Sequence, residues 1–236
     1  VKFAAIVVAA GRGVRFGRPK QLVEVAGRPL IAWSFETFGS MRELGELVVA
    51  TEPEHLETMR ELAARYAPGL AARVVPGGAT RQASARLALD AVASACDAAF
   101  VHDGARPLVL PEDVRRGMAA TGPRAGALLA VPVVDTIKVV ATGNERVVTR
   151  TLERGELWSA QTPQFGTLAD LRRAHEEAHA AGFEATDDAM LLERAGCRVV
   201  VIPTSAENFK VTLPGDRDRA ESILLERSAR AATAAG

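Results

Sequence analysis

The sequence predicts an α/β fold: a doubly wound, mostly parallel sheet with helices on both faces and a β-arm inserted late in the chain. Three observations predict it. Short apolar runs, most of them closed by glycine, proline or a charged residue, recur along the first half. Segments with helical spacing and helix-start signals lie between them. The alternation breaks at a β-rich stretch around Gly143-Asn144 and resumes near Thr167. Repeated strand–helix alternation implies parallel strands joined by right-handed crossovers.

Residues 3–8 (FAAIVV) are a short apolar run of the kind a buried parallel strand shows. Residues 29–38 have helical spacing, with Leu30, Ile31, Ser34 and Phe38 near one face. Residues 46–51 (ELVVAT) are the next strand, and Pro53 opens a helix with acidic residues in its first turn. Strands follow at 72–75 and 98–101, with a helix at about 80–93 between them. Pro111-Glu112-Asp113 starts another helix, and 126–133 is the strand after it. Residues 136–140 and 146–149 are β-rich and flank a hairpin signal, Gly143-Asn144. A two-stranded ribbon is marginal alone in water, so this arm is expected to pack on another surface, a second subunit being the simplest. A strand at 198–202 and a last helix from near Gly215-Asp216 complete the pattern, which is Rossmann-like, and the alanine-rich end at 231–236 is expected to fray.

The chain has 236 residues, with 29 Lys+Arg against 29 Asp+Glu. That balance argues against a general attraction to nucleic acid or a membrane surface. Cys96 and Cys197 are too few for a disulfide framework or a cysteine-rich zinc site. No apolar run reaches membrane-spanning length, and Lys2 leads straight into a strand with no secretory signal before it. A cytoplasmic location is the expectation.

Two segments carry chemistry. In Val8-Ala9-Ala10-Gly11-Arg12-Gly13-Val14-Arg15-Phe16, followed by Pro19-Lys20-Gln21, a buried strand ends in small residues and then basic side chains. Glycines let the backbone approach a ligand and aim N–H groups at it, and Arg15 and Lys20 add full charges, which together suit a triphosphate. The spacing matches neither a dinucleotide fingerprint nor a P-loop. The other reading is a simple βα turn with exposed cations. In Val101-His102-Asp103-Gly104-Ala105-Arg106-Pro107, Asp103 ends a strand and faces the same crevice, where a carboxylate suits Mg²⁺ and Arg106 a second phosphate. Here the alternative is a capping Asp paired with Arg106.

These segments closely resemble the 2-C-methyl-D-erythritol 4-phosphate cytidylyltransferase family. The likeness continues, in order, through Pro76-Gly77-Gly78-Ala79-Thr80-Arg81-Gln82-Ala83-Ser84, Pro132-Val133-Val134-Asp135-Thr136, residues 151–165 (TLERGELWSAQTPQF), Thr186-Asp187-Asp188-Ala189 and residues 207–212 (ENFKVT). It covers about residues 3–220. Ala79 departs from the family, whose members often carry a polar residue there that touches the ribose.

The resemblance implies one nucleotidyltransferase domain over 1–236, with the arm, at about 134–160, exchanged across a homodimer. It implies transfer of a cytidylyl group from CTP to methylerythritol phosphate with Mg²⁺ as cofactor. By that resemblance Arg15 and Lys20 stabilise the transition state and the leaving pyrophosphate. Ala9, Ala10, Gly11 and Gly13 line the nucleotide; Gly78, Arg81, Ser84 and Gly104 serve its cytidine end; Asp103 holds the metal. Lys210 and Arg154 position the acceptor, Arg154 from the neighbouring subunit, and Arg106, Thr136, Thr162, Thr186 and Asp187 shape its pocket. Two rival readings are a cytidylyltransferase for another polyol phosphate, such as ribitol phosphate, and a non-catalytic nucleotide-binding regulator.

Three other features read as structural. His175-Glu176-Glu177-Ala178-His179 fits the HExxH zinc pattern, but its polar, alanine-rich helix suggests a solvated face. His102 reads as a strand-end packing or hydrogen-bonding residue, and Trp33 and Trp158 as core or arm packing.

Overall fold

The computed structural model describes residues 1–11, 19–93, 95–143 and 145–234. Its centre is a seven-stranded sheet in the order β11-β7-β10-β6-β1-β4-β5, built from β1 (Phe3–Ala9), β4 (Leu44–Thr51), β5 (Ala71–Pro76), β6 (Ala98–Asp103), β7 (Ala125–Pro132), β10 (Trp158–Thr167) and β11 (Arg198–Pro203). β1 runs parallel to β4 and β6, β4 to β5, and β7 to β11. β10 alone is antiparallel to both its neighbours, β6 and β7.

The alternation of side chains in β1 shows why helices cover both faces. Phe3, Ala5, Val7 and Ala9 join one buried cluster with Ile31, Phe35 and Phe38 of α1 (Leu30–Gly39), Met59 and Ala63 of α2 (Leu56–Tyr66) and Val114 and Met118 of α4 (Pro111–Ala119). Ala4 and Ile6 join a second with Ala85, Ala88 and Leu89 of α3 (Arg81–Ala91), Leu171 and Ala174 of α5 (Leu168–Ala180) and Leu191 and Leu192 of α6 (Asp188–Arg194). A strand buried on both sides leaves no polar face, hence the continuous apolar reading of residues 3–8. Phe100 on β6 stands 5.1 Å from Phe38 and 5.4 Å from Phe165, tying α1 to β10.

The expected elements are present, with shifted ends. Thr80 caps α3, its side chain accepting from Ala83 N, and Pro111 stands in the first turn of α4. The helix expected from 29 begins after Pro29, and α7 (Pro214–Ala234) begins at Pro214 and remains helical through Ala234, past the point where the sequence suggested fraying. Two very short strands, β2 (Glu24–Val25) and β3 (Arg28–Pro29), pair antiparallel and pack with α7 through Val25, Leu30, Ala220 and Leu224. The arm consists of β8 (Lys138–Val140) and β9 (Val148–Thr151), which pair antiparallel. The second arm strand lies two residues beyond the expected 146–149. Residues 158–160, assigned to the arm from sequence, begin β10 and pair with β7. Among the described residues no helix is long and apolar enough to cross a membrane.

Candidate active site

The carboxyl ends of β1, β4, β5 and β6 open into one cavity of about 700 Å³. Parallel strands bring these ends together, and ligands of such sheets collect there. Ala10, Gly11 and Lys20 line it from the β1 side; Gly78, Arg81 and Ser84 from the β5 side; and Asp103 and Gly104 from the β6 side. Gln21, buried, donates from Nε2 to the Ala9 carbonyl at 2.9 Å and pins the end of β1. Gly77 has no room for a side chain, because a Cβ there would stand 2.2 Å from Ala10 Cβ. The two loops therefore close on each other. Ser84 Oγ accepts from Gly78 N at 3.0 Å and donates to the Thr80 carbonyl at 2.9 Å, which fixes that turn.

A second cavity of about 280 Å³ adjoins the first and shares Arg81, Asp103 and Lys210 with it. Arg106, Thr162, Thr186 and Asp187 line only this smaller one. The shared wall is a set of charges. Asp103 receives Arg81 Nε at 3.0 Å and Lys210 Nζ at 2.9 Å, with Arg106 Nε at 3.6 Å. Burial alone would raise the Asp103 pKa, but Arg81, Lys210 and Arg106 hold it well below the ordinary carboxylate range. Burial likewise works against the Arg81 charge, and Asp188 and Asp103 outweigh it. Three cations, Arg81, Lys210 and Arg106, share the carboxylates of Asp103 and Asp188 at the junction of the cavities. Arg106 Nη1 also donates to the Asn208 carbonyl at 2.8 Å, and Val211 N donates to the Ala105 carbonyl, which lays the 208–211 segment and Lys210 against the end of β6.

Under this wall lies a neutral support. His102 Nε2 faces the Arg106 carbonyl at 3.0 Å, so it carries the hydrogen. Thr162 Oγ1 accepts from Asp103 N at 3.0 Å and stands 3.2 Å from His102 Nδ1. The hydrogen-bonding role read for His102 from sequence is present.

Other expected residues lie elsewhere. Ala9 is buried behind the cavity rather than lining it. Arg154 follows β9 and donates from Nη1 to the Val134 carbonyl at 2.8 Å, and neither it nor exposed Thr136 lines either of these two cavities. Gly13 and Arg15 fall outside the described residues. Asp187, which lines the smaller cavity, also caps α6 through Met190 N, and its Oδ2 accepts from Gln164 Nε2 at 2.9 Å. The solvated face read for the HExxH segment is only half right: His179 is exposed, whereas His175 is fully buried against Asp188. Trp33 packs beside the β2–β3 pair, under the Arg28 guanidinium at 3.6 Å, while Trp158 is 39% exposed on its own chain.

Sequence reasoning missed Gln21, Gln164 and Asn208. Gln164 was visible as a polar residue inside the signature run, but only pairing shows that its amide bridges β10 and α6.

Among the described residues no three His, Cys, Asp or Glu side chains converge on a metal position. Mg²⁺ needs no such cage when it arrives with phosphates, since one or two carboxylates suffice. Asp103 and Glu52 both line the larger cavity, and Asp103 is held ionised, so the donor set fits.

A family model described as 2-C-methyl-D-erythritol 4-phosphate cytidylyltransferase matches residues 3–226. The chain belongs to the 2-C-methyl-D-erythritol 4-phosphate cytidylyltransferase family. Curated proteins of that name include one from Acidobacterium capsulatum, 38% identical over 95% of this chain and 98% of its own length. Another, from Thermosynechococcus vestitus, is 39% identical over 94% of this chain and 95% of its own. Among solved structures, the 4-diphosphocytidyl-2C-methyl-D-erythritol synthase of Anaerococcus prevotii superposes with a TM-score of 0.82 at 25% identity, covering 95% of this chain and 96% of that one. The 2-C-methyl-D-erythritol 4-phosphate cytidylyltransferase of Thermus thermophilus gives 0.75 at 34% identity, covering 94% and 98%. The fold and sequence segments expected of that family are thus both present in this cytidylyltransferase.

Proposed function

We propose that the chain transfers the cytidylyl group of CTP to 2-C-methyl-D-erythritol 4-phosphate, releasing pyrophosphate and forming 4-diphosphocytidyl-2-C-methyl-D-erythritol for isoprenoid precursor synthesis. Family membership supports the reaction. The observation that supports the mechanism is the wall of Arg81, Asp103 and Lys210 common to both cavities.

An oxygen of the acceptor phosphate forms the new bond to the α-phosphorus of CTP as the bond to the β-phosphate oxygen breaks. The nucleophile is already an anion, so the site needs cations and positioning rather than a base. In this reading CTP occupies the larger cavity, with its base end toward Gly78 and Ser84 and its phosphates toward Lys20 and the Gly11 loop. The acceptor occupies the smaller cavity, its phosphate drawn to Arg106 and Lys210, with Thr162, Thr186 and Asp187 around the polyol. Lys210 leans on Asp103 and thereby faces both substrates. Mg²⁺, held by Asp103, would neutralise phosphate oxygens when bound.

The reading extends to a homodimer. Val134, Val147 and Val148 on the arm are 81%, 54% and 53% exposed, more apolar surface than a short ribbon keeps in water. Docked on a second copy, the arm brings Arg154 to the neighbouring acceptor cavity.

A nucleotide-by-acceptor screen following pyrophosphate tests the proposal. Release with CTP and methylerythritol phosphate, and little with either omitted, is expected. Preference for ribitol 5-phosphate would transfer the assignment to that acceptor.

A further inference from the structure

His175 lies on α5, away from both cavities, and its side chain is fully buried. Its Nε2 stands 3.0 Å from Asp188 Oδ1. A carboxylate only accepts, so Nε2 carries the hydrogen and donates. Asp188, also fully buried, meets Arg81 Nη1 at 2.8 Å with its other oxygen. Burial would raise the Asp188 pKa, and Arg81 and His175 together hold it below the ordinary range. Arg81 in turn places Nε on Asp103 Oδ1 at 3.0 Å. An unbroken series of contacts thus runs from α5 to the wall of the nucleotide cavity.

The series decides where the Arg81 guanidinium stands. Arg81 donates Nε to Asp103 and meets Asp188 Oδ2 through Nη1 as an ion pair without hydrogen-bond geometry, and its Nη2 is buried without a partner among the described residues. Asp188 fixes the far edge of the guanidinium only if Asp188 itself is held. One of its oxygens is on Arg81; His175 holds the other. An apolar residue at 175 would leave that oxygen in the core without a donor, and the carboxylate would turn toward Arg81 or toward water. Either movement changes the direction of Arg81, and with it the unpartnered Nη2 donor.

We infer that His175 is a positioning residue for the cytidylyl-transfer site, acting through Asp188 to set Arg81 against the bound nucleotide. The inference rests on the proposed reaction. It gives the histidine of the zinc-like motif a task in which no zinc takes part.

The test uses the full-length protein with CTP and methylerythritol phosphate. His175→Leu is expected to lower kcat/KM for CTP on the order of tenfold or more, with the larger part in KM. His175→Gln, whose amide nitrogen reaches the place of Nε2, is expected to restore it to within about threefold of wild type. In an Arg81→Ala background, His175→Leu is expected to add no further loss. Full activity of His175→Leu, failure of the Gln variant to restore it, or independent losses in the double variant would each overturn the inference. Should His175→Leu not fold, the isosteric Asp188→Asn takes its place. It is expected to lower kcat/KM for CTP similarly, and wild-type kinetics would overturn the inference. A merely structural histidine would lower the melting temperature without this kinetic pattern. The two readings fail separately: a wild-type protein that releases no pyrophosphate overturns the reaction and the inference with it, whereas an active wild type with a fully active His175→Leu overturns the inference alone.

Discussion

Asp103 receives Arg81 Nε at 3.0 Å on one oxygen and Lys210 Nζ at 2.9 Å on the other. One buried carboxylate therefore holds two of the cations in the wall that both cavities share. Removing it leaves Lys210 without its carboxylate partner and Arg81 with Asp188 alone. Asp103→Asn is expected to lower kcat by about a hundredfold or more, with loss of any dependence on Mg²⁺ that the wild type shows. Initial rates over a Mg²⁺ titration check this, and an unchanged metal dependence with normal kcat would remove Asp103 from the metal role.

Lys20 lines the nucleotide cavity just after the β1 loop, where the triphosphate is proposed to lie. Charge developing on the transferring phosphorus and on pyrophosphate is then met by an ammonium already in place. Lys20→Ala is expected to lower kcat about a hundredfold or more while the melting temperature stays within a few degrees. Steady-state kinetics beside a thermal melt separates the two, and near-normal turnover would take Lys20 out of the mechanism.

The residues around Arg154 lead to a prediction about assembly. Arg154→Ala is expected to raise KM for the acceptor and leave CTP binding intact. Mixing inactive Lys20→Ala with Arg154→Ala, then allowing subunits to exchange, is expected to restore about a quarter of wild-type activity, since half the dimers are hybrids and each carries one complete site. No recovery after verified exchange would place Arg154 in its own chain's site or outside it.

His102 links the site to acid stability. Burial, the largest influence, lowers its pKa to about 4, against roughly 6.5 for a free imidazole. The unfolded chain takes up this proton below about pH 6.5 and the folded chain only near pH 4, so stability is complete above that window and is lost as pH falls through it. The loss is up to roughly 3 kcal/mol. Asp103 and Asp188, both held below the ordinary carboxylate range, lose their contribution only at lower pH. Urea midpoints between pH 7 and pH 4.5 are expected to fall more steeply for wild type than for His102→Asn. Parallel slopes would show that His102 does not carry the effect.

Legibility in the sequence followed how locally each feature is specified. β1 and the residues that end it could be read because an apolar run closed by Ala9, Ala10 and Gly11 is complete within a dozen residues. The end of β6 was legible for the same reason. β10 was not, because Gln161, Thr162, Pro163 and Gln164 look like a loop when taken alone. In the fold they are buried, with Thr162 answered by His102 and Gln164 by Asp187 and Ala189. A polar strand of that kind becomes visible only with its partners. His175 shows the opposite failure. Its polar, alanine-rich helix suggested a solvated face for both 175 and 179, yet α5 buries the first and exposes the second, the buried one lying against Asp188 of α6. β2 and β3, two residues each, carry no periodicity to read.

The central claim is that one charged wall divides two substrates, and a crystal structure with CTP, Mg²⁺ and a non-reacting acceptor analogue tests it most directly. The expected result has the cytosine beside Gly78 and Ser84, the triphosphate beside Lys20, and the acceptor phosphate across Lys210 beside Arg106. Nucleotide bound away from the ends of β1 and β6, or both ligands on one side of the Asp103–Lys210 pair, would contradict it.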